Sequence, residues 1–304
     1  MLTLLLPPAA RLGGALGRDA GLRLARADRG PAGREGFRAQ LERHFELLPR
    51  GWPMAALTRQ QDAGDAGGQV WLRADPAHVR VEINGGRLLA CGGFGLAPAE
   101  VEDLLRPLKP LFGDAGCPIS APHPDRWYLM LPPGTPLPAF SEPDAALGDE
   151  LLDHLPEGPE GRRWRALMNE AQIVLHNHPL NAARAQRGLP AINALWFWGG
   201  GVLPDAVRSQ AGHVRSGDAE LRALAAAAGL RLDDAADAGD ALLDLRGVRD
   251  AGELERDWLA PAFAALDAGD LDTLVLDLAD GQRWTLRRGQ RWRLWRRRPA
   301  AFAS

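Results

Sequence analysis

The order of apolar and polar positions along the chain predicts strands that alternate with helices. The apolar run LTLLLP near the start predicts a buried first strand. The segment REGFRAQLERHFELLP places Phe37, Leu41, Phe45 and Leu48 on one face of a predicted helix. Further along, NALWFWGGG and LDTLVLDL predict two more buried strands, and DAELRALAAAAGLRL predicts a helix that leads into a strand. This alternation is typical of an α/β protein.

From Gln69 the pattern changes to that of a small α+β unit. The segments QVWLR and RLLAC predict two strands joined by an NGG turn. LAPAEVEDLLRPLKPLF predicts a helix with Pro98 in its first turn, and DRWYLMLP predicts a third strand. A Pro-rich connector is expected over residues 132–148.

The segment EGRRWRALMNEAQIVLHNHP predicts an amphipathic helix that Pro179 ends. Its apolar stripe consists of Trp164, Leu167, Met168, Ala171, Val174 and Leu175. His176 and His178 lie in this helical pattern, and a helix separates positions i and i+2 by about 200°. One metal ion therefore cannot easily hold both rings, so we expect a structural role for His178 at the end of the helix.

Three consecutive glycines, Gly199–Gly201, follow a predicted strand. A glycine loop after a strand can cradle a phosphate, but the pattern matches neither GxGxxG nor a P-loop, so a tight turn is the favoured interpretation. The sequence has no GxSxG motif, and no Ser, Thr or Cys occurs between Leu4 and Leu57. These observations predict no catalytic nucleophile.

The C-terminal region carries eight arginines and three tryptophans between Arg283 and Arg298, with no acidic residue. Cations interleaved with aromatic rings suit single-stranded nucleic acid. The alternative is a pair of strands joined near Gly289, with tryptophans inward and arginines protecting an exposed edge. We favour the second interpretation, because no nucleic-acid-binding motif accompanies the pattern.

Composition narrows the class of protein further. The 304 residues are 46% hydrophobic and 25% charged, as in an ordinary globular protein of about two domains. The net charge of −3 predicts no general attraction to nucleic acid or to an anionic membrane. The cysteines Cys91 and Cys117 form no disulfide framework, and the start has no basic region typical of a signal peptide. We therefore expect a cytoplasmic protein.

The segment HPLNAARAQRGLPAINALWFWGGG resembles a signature of archaeal-type cofactor-independent phosphoglycerate mutases. The matching residues are His178, Pro179, Asn181, Arg184, Gly188, Pro190, Asn193, Trp196, Trp198, Gly199 and Gly201. Upstream, VWLRAD, RLLACGG, LAPAEVEDLLRPL and DRWYLML resemble the substrate-side inserted domain of those enzymes. Over nearly its whole length the chain resembles bacterial regulatory proteins of the RpfE type, which are relatives of that mutase family.

The resemblance implies a fold and an ancestral chemistry. The mutases resemble alkaline phosphatase in their core, and two metal ions held by Asp and His stabilise phosphoryl transfer to a Ser or Thr. A strand arginine and a His-Arg pair help to bind the phosphoglycerate there. Arg73 and Arg126 match these arginines, whereas Asp125 stands in the position of the histidine.

The chain departs from the mutases at the positions that carry the metal chemistry. The first strand of the mutases ends in a metal-binding Asp-Gly, and this chain reads LLLPPAARLGG. Of the histidines expected after Gly201, only His213 is present. The strand expected to carry an Asp-His pair reads LVLDLADGQRW, so Asp277 and Asp280 remain as candidate ligands with no histidine beside them. The sequence therefore predicts neither a metal site nor a cofactor.

We predict an α/β protein with a reduced alkaline-phosphatase-like core at residues 1–65 and 155–304. A small inserted α+β domain is expected at residues 66–140, followed by a connector at 141–154. The leading hypothesis is a non-catalytic regulatory or binding protein that keeps a cleft for a phosphorylated or carboxylate metabolite, or binds a protein partner. The predicted ligand-binding residues are Arg73, Arg126, His178, Asn181, Arg184 and Asn193.

Two alternatives stay open. One is a phosphoglycerate mutase or metal-dependent phosphatase with unconventional ligands. The other is a nucleic-acid-binding regulator that uses the C-terminal arginines and tryptophans, although nucleic acid is the less favoured partner. No membrane association is expected, and the sequence does not define the oligomeric state.

Overall fold

The computed structural model describes residues 1–82, 85–232, 240–293, 295–296 and 302. The chain divides into two compact units. The first consists of Met1–Glu46 and Ala206–Ser304, and the second consists of Leu47–Asp205. The second unit is therefore inserted in sequence between the two halves of the first.

The strands in the described residues are short, except for one of thirteen residues in the second unit. In chain order they are β1 Leu2–Leu6, β2 Asp28–Arg29, β3 Phe45–Leu48, β4 Val70–Glu82, β5 Gly85–Cys91, β6 Ile119–His123, β7 Arg126–Leu131, β8 Ala194–Gly201, β9 Ala206–Ser209, β10 His213–Arg215, β11 Arg231–Leu232, β12 Ala241–Asp244, β13 Thr273–Leu278 and β14 Arg283–Arg287.

The helices are distributed over both units. In chain order they are α1 Arg18–Arg26, α2 Phe37–Glu42, α3 Met54–Ala63, α4 Pro98–Asp114, α5 Pro143–Ala146, α6 Gly158–His176, α7 Pro179–Gln186, α8 Ala219–Ala227, α9 Ala251–Leu254 and α10 Ala260–Ala268. Short 3₁₀ turns occupy Ala9–Arg11, Leu151–His154 and Arg288–Trp292, and a π-helical turn, Glu255–Leu259, joins α9 to α10. None of the helices in the described residues is long and apolar enough to cross a membrane.

The first unit is built on a mostly parallel sheet. Its strand order is β11-β10-β12-β1-β13-β14-β2, and β1 pairs in parallel with β12 on one side and β13 on the other. Strand β14 is antiparallel to β13 and to β2. Apolar side chains of β1 and β13, among them Leu4 and Leu276, pack with helices α1 and α10 to form its core. The predicted first strand and the predicted strand LVLDL are confirmed.

The second unit is built on an antiparallel sheet around the long strand β4. Strands β5, β7 and β8 all pair with β4, and β6 pairs with β7. Helices α4 and α6 contribute to its core, where the rings of Phe140, Trp164 and Phe197 meet edge to face. The apolar stripe predicted for the helix at 158–176 is confirmed, because its members are buried or pack against this core.

The α/β fold class is confirmed, with a parallel sheet in the first unit and an antiparallel α+β arrangement in the inserted one. The predicted insertion at 66–140 lies inside the second unit. That unit also includes residues 47–65 and 141–205, because α3 and β8 contact β4 and α6 packs against β8. The boundaries predicted from the resemblance stay a prediction.

The helix predicted through Leu48 is too long. Helix α2 ends at Glu42, and β3 begins at Phe45. Phe45 and Leu47 are buried while Glu46 is exposed, so these apolar positions fit a strand period of two. The predicted NGG turn begins at Asn84, which lies outside the described residues.

The three glycines do not form the tight turn that the sequence favoured. They lie within β8, which pairs with β4 next to a register shift. Gly199 has a φ of +65°, and a Cβ on Gly200 would lie 2.4 Å from Cδ1 of Leu137. The glycines therefore allow a bulged strand to approach its neighbours closely, which is a packing role rather than a phosphate-binding one.

The predicted C-terminal strand pair is also wrong beyond its first strand. Strand β14 ends at Arg287, and the chain turns at Arg288–Trp292. Gln290 fixes this turn, since its Oε1 accepts from the Arg287 N–H at 3.1 Å and its Nε2 donates to Asp28 at 2.8 Å. Trp284 is buried, but Trp292 and Trp295 are 67% and 74% exposed.

Candidate functional site

Four of the six predicted ligand-binding residues lie at one corner of the second unit, where α6, α7 and the start of β8 meet. His178 precedes α7, and its Nδ1 accepts from the Leu180 N–H at 3.2 Å. Its Nε2 lies 3.1 Å from the carbonyl oxygen of Asp103. Both ring nitrogens are therefore used by the backbone, so the role is structural, as expected. The predicted position is wrong, because α6 ends at His176 and His178 caps the start of α7 instead of lying in the preceding helix.

Asn181 and Asn193 fix the backbone on either side of the turn into β8. The Asn181 amide donates to the carbonyls of Leu175 and Ile192, at 2.8 and 2.9 Å, and accepts from the Ile192 N–H. The Asn193 side chain accepts from the Val79 N–H and donates to the Val79 carbonyl, each at 2.8 Å. These two amides replace backbone partners that the turn cannot supply.

Arg184 is the fourth residue of this corner that binds the backbone. It is 1% exposed, and it donates from Nε to the Pro190 carbonyl at 3.0 Å and from Nη2 to the Phe94 carbonyl at 3.2 Å. Its Nη1 has no hydrogen-bond partner among the described residues. The motif therefore forms a hydrogen-bonded corner, and a ligand-binding role for these four residues stays a prediction.

Arg73 and Arg126 lie elsewhere, in a cluster formed by α3, β4, β7 and β8. Arg73 is 5% exposed, and its guanidinium lies over the rings of Trp198 and Tyr128 at 4.8 and 5.5 Å. It forms an ion pair with Asp75 at 2.7 Å and donates to the Thr58 hydroxyl at 3.3 Å.

Asp75 has further partners besides Arg73. It accepts from the Trp127 N–H at 3.1 Å and from the Trp198 indole at 2.7 Å. Burial raises the pKa of Asp75, and Arg73 opposes that shift. The donors to this buried carboxylate, namely Arg73, Trp127 and Trp198, all belong to strands of the same sheet.

Arg126 binds Asp62 through two parallel hydrogen bonds of 2.7 and 2.6 Å. The Tyr128 hydroxyl donates to the same carboxylate at 2.6 Å. Although burial favours the protonated acid, the hydrogen bonds from Arg126 and Tyr128 hold the pKa of Asp62 below its ordinary value. Burial and the nearby Arg126 lower the pKa of His123.

The sequence analysis missed Arg59 of α3, which joins the same cluster. Its guanidinium binds Asp65 at 2.5 and 2.6 Å, donates to the Ser120 hydroxyl at 2.9 Å and lies 4.5 Å from the ring centre of Trp71. The only local signal is the run of polar residues at 58–62 after an apolar turn, which is common on helix surfaces. We refer to Arg59, Arg73 and Arg126 with their aspartate partners as the arginine cluster.

The arginine cluster carries no net charge, since each guanidinium faces one carboxylate. An anionic ligand must therefore replace a carboxylate rather than fill an empty cationic site. The partners differ in accessibility: the side chain of Asp65 is 53% exposed, whereas those of Asp62 and Asp75 are 7% and 3% exposed. An anionic ligand can therefore replace the carboxylate most easily at Arg59, whose partner is the exposed Asp65.

The carboxyl ends of the parallel strands in the first unit are the second region of interest, because open α/β sheets bind ligands at this edge. Asp277 of β13 is fully buried there. Arg43 binds its carboxylate at 2.5 Å, and Nε2 of His44 lies 2.9 Å from its other oxygen. The expectation that no histidine accompanies Asp277 is therefore wrong, because His44 comes from a distant part of the sequence.

Asp244, at the end of β12, has a similar arrangement. Arg246 donates to both of its oxygens at 2.8 Å, and the Ser216 hydroxyl donates at 2.6 Å. Burial disfavours the charged forms of Asp244 and Asp277, but Arg246 at the first and His44 and Arg43 at the second lower their pKa values. Both carboxylates are therefore ionised and bound to guanidinium groups.

The remaining candidate ligands do not complete a metal site. Asp280 accepts hydrogen bonds from the Ala9 N–H and from Gln282, which fix its loop. His213 begins β10 and so lies at the amino edge of the sheet. Among the described residues no three His, Cys, Asp or Glu side chains are grouped to hold a metal ion. The donor set does not fit the two-metal site that the resemblance implies, because guanidinium groups already bind the strand-edge carboxylates.

No family model matches the chain. It is 42% identical over 57 residues to a probable 2,3-bisphosphoglycerate-independent phosphoglycerate mutase of Geobacter sulfurreducens, which covers 19% of this chain and 14% of the relative. It is 29% identical over 142 residues to the corresponding mutase of Methanothrix thermoacetophila, covering 45% and 33%. The chain thus matches a third or less of the length of these relatives.

Among solved structures, the chain is similar to a cofactor-independent phosphoglycerate mutase from Thermoplasma acidophilum. The identity is 16%, the TM-score is 0.40, and the alignment covers 94% of this chain and 88% of the other. The sequence similarity supports the predicted relationship to phosphoglycerate mutases over part of the chain.

Proposed function

We propose that this chain is a non-catalytic regulatory or binding protein of the RpfE type, derived from a cofactor-independent phosphoglycerate mutase with an alkaline-phosphatase-like core. The observation that carries the proposal is the binding of Asp277 by Arg43 and His44. Two-metal phosphoryl transfer needs divalent ions with open coordination positions between the attacking and leaving oxygens. A guanidinium donates hydrogen bonds but has no such position.

The electrostatics at this edge also oppose metal binding. A divalent ion at Asp277 would have to displace the Arg43 guanidinium and then remain near that positive charge. A metal ion at Asp244 would likewise have to displace Arg246. That side chain is only 9% exposed and lies over the ring of Phe37 at 5.3 Å, so it is held in place. Breaking a buried pair of this kind costs about 3–5 kcal/mol.

We assign the ligand-binding function to the arginine cluster of the second unit, with a small phosphorylated or carboxylate metabolite as its ligand. Arginine binds both groups through two parallel hydrogen bonds. The ligand would take the place of Asp65 at Arg59 and would lie near the Ser120 hydroxyl. In this proposal Arg126 and Arg73 stay paired with Asp62 and Asp75, and Arg73 positions the aromatic rings. His178, Asn181, Arg184 and Asn193 hold the neighbouring corner.

The catalytic part of the proposal is tested with the full-length protein, manganese and 3-phosphoglycerate. We expect no bound divalent metal by elemental analysis, no conversion to 2-phosphoglycerate and no release of phosphate. Two bound ions with metal-dependent turnover would favour the alternative, a phosphoglycerate mutase or phosphatase with unconventional ligands, and would overturn this proposal.

The ligand-binding part is tested by thermal shift with 3-phosphoglycerate. We expect a rise in the unfolding temperature that Arg59→Ala abolishes. Arg106→Ala is a matched control, because Arg106 also pairs with an aspartate but has a 76% exposed side chain outside the cluster. An equal shift in both variants would mean that the cluster does not bind the anion.

A further inference from the structure

A cavity of about 260 Å³ in the first unit is lined largely by arginine. Its walls come from α1, α10, β14 and the turn that follows β14. Five arginines line it, namely Arg23, Arg26, Arg287, Arg288 and Arg291, against the two aspartates Asp19 and Asp267. The described lining therefore has an excess of three positive charges, in a protein whose net charge is −3.

The carboxylates near this cavity are shared by several guanidinium groups. Arg23 binds Asp267, and Arg291 lies 3.8 Å from the same carboxylate. The hydrogen bond from Arg23, followed by the charges of Arg23, Arg291 and Arg288, lowers the pKa of Asp267. One carboxylate thus faces three guanidinium groups, which leaves positive charge for a further anion.

Other partners do not remove this excess. Arg287 lies 3.3 Å from Asp28, but Arg293 binds that carboxylate more closely, at 2.5 Å. Arg26 donates to the Arg291 carbonyl at 3.2 Å, and its buried Nε has no partner among the described residues. The cavity therefore combines an excess of positive charge with one unpartnered guanidinium donor, and guanidinium groups are suited to binding phosphate.

Two aromatic rings lie next to this charge in sequence. Trp292 and Trp295 are 67% and 74% exposed, and the Arg291 guanidinium lies 5.1 Å from the ring centre of Trp292. An edge strand with its tryptophans turned inward would have buried both rings, but the turn at Arg288–Trp292 exposes them. Exposed flat rings beside arginines are suited to stacking with unpaired bases.

We propose that this cavity and the two exposed tryptophans bind single-stranded nucleic acid. Backbone phosphates enter the arginine cavity, and unpaired bases stack on Trp292 and Trp295. A duplex does not meet these requirements, because its base faces are already stacked on one another. The site shares no residue with the arginine cluster or with the strand-edge carboxylates, so it stands independently of the proposed function.

The test is the binding of a fluorescent twelve-nucleotide single strand to the full-length protein, followed by anisotropy at several salt concentrations. The variant Arg288→Ala/Arg291→Ala should bind at least tenfold more weakly. Its log–log salt slope should fall by about 1.4, because each phosphate contact contributes about 0.7 on a single strand. Trp292→Ala should weaken binding about tenfold and leave the slope unchanged, since stacking involves no counterion release.

The matched control is Arg106→Ala/Arg162→Ala, which removes the same charge from exposed positions of the other unit. It should bind like the unmodified protein, and circular dichroism should show all variants folded. Equal affinity of the two double variants would overturn the proposal. So would equal or tighter binding of inorganic phosphate, a duplex of the same sequence, or vesicles containing anionic phospholipid.

Discussion

Replacement of Arg43 by methionine removes the guanidinium that faces Asp277 but keeps most of the side-chain volume. The Asp277 side chain is fully buried and that of Arg43 is 19% exposed, so solvent screens this pair only weakly. Removal of one partner from a buried pair costs about 3–5 kcal/mol. His44 remains 2.9 Å from the carboxylate. We therefore expect a loss near the lower end of that range, about 3 kcal/mol at pH 7.

The loss should depend on pH in a defined direction. In the unmodified protein Arg43 and His44 hold the pKa of Asp277 below its ordinary value of 3.8, against the effect of burial. The resulting stabilisation is present above pH 3.8 and is lost as the pH falls through the lower folded value. Without Arg43, burial favours the protonated acid, so the variant should recover relative stability as the pH falls from 7 towards 5.

Urea denaturation followed by far-ultraviolet circular dichroism measures this free energy of unfolding. The control Arg38→Met removes an arginine from α2 whose side chain is 45% exposed and pairs with Glu42. It should cost about 0.5 kcal/mol, as exposed pairs do. Addition of Asp277→Asn to Arg43→Met should recover part of the loss, because it removes the uncompensated charge. If Arg43→Met lowers the free energy of unfolding no more than Arg38→Met does at any pH, Arg43 does not neutralise the Asp277 carboxylate.

Three further substitutions test other parts of the fold. Trp164→Ala should lower the free energy of unfolding by about 3–5 kcal/mol, because the ring packs against Phe140 and Phe197 at centroid distances of 5.6 and 5.7 Å. Urea denaturation measures this loss, and a clearly smaller loss would argue against a central role of the ring in the core. Gly200→Ala should cost about 1–3 kcal/mol, since the new Cβ would lie 2.4 Å from Cδ1 of Leu137. Leu137→Ala should relieve much of that cost, and no relief would argue against the close approach. Asp62→Asn should lower the unfolding temperature above pH 3.8, and the difference should shrink as the pH falls further, because the pKa of Asp62 is lowered in the folded protein. A difference that stays constant with pH would contradict this assignment.

The elements that the sequence predicted correctly have a single consistent period. Strand β1 is an apolar run interrupted only by Thr3, and α6 repeats its apolar positions with a helical spacing over nineteen residues. The segment after Glu42 fits two periods, because Phe45, Leu47 and Leu48 can face a helix stripe or a strand. Arg43 and His44 bind Asp277 just before Phe45, at the point where the helix gives way to the strand, and the sequence pattern does not show this contact.

The chemistry of the sites was less predictable because its partners are distant in sequence. Arg43 and Asp277 are separated by 234 positions, and no local pattern relates them. Arg59 and Ser120 are separated by 61 positions, and Arg59 resembles any polar residue of a surface helix until Trp71 and Tyr128 enclose it. A family motif identified the corner at His178, but it did not reveal that the polar side chains there bind the backbone.

A carboxylate buried at the end of a parallel strand needs a cation whatever the protein does, because an unpaired buried charge is strongly destabilising. A divalent metal meets that need and leaves a position open for chemistry. An arginine also neutralises the carboxylate. Its hydrogen-bond donors are then occupied, and the covalently attached guanidinium offers no open coordination position to a substrate. Substitution of a guanidinium for a metal ion can therefore preserve the fold while removing the Lewis acid. Under the proposed function the stability of this protein does not depend on metal, so we expect chelators to leave its free energy of unfolding unchanged.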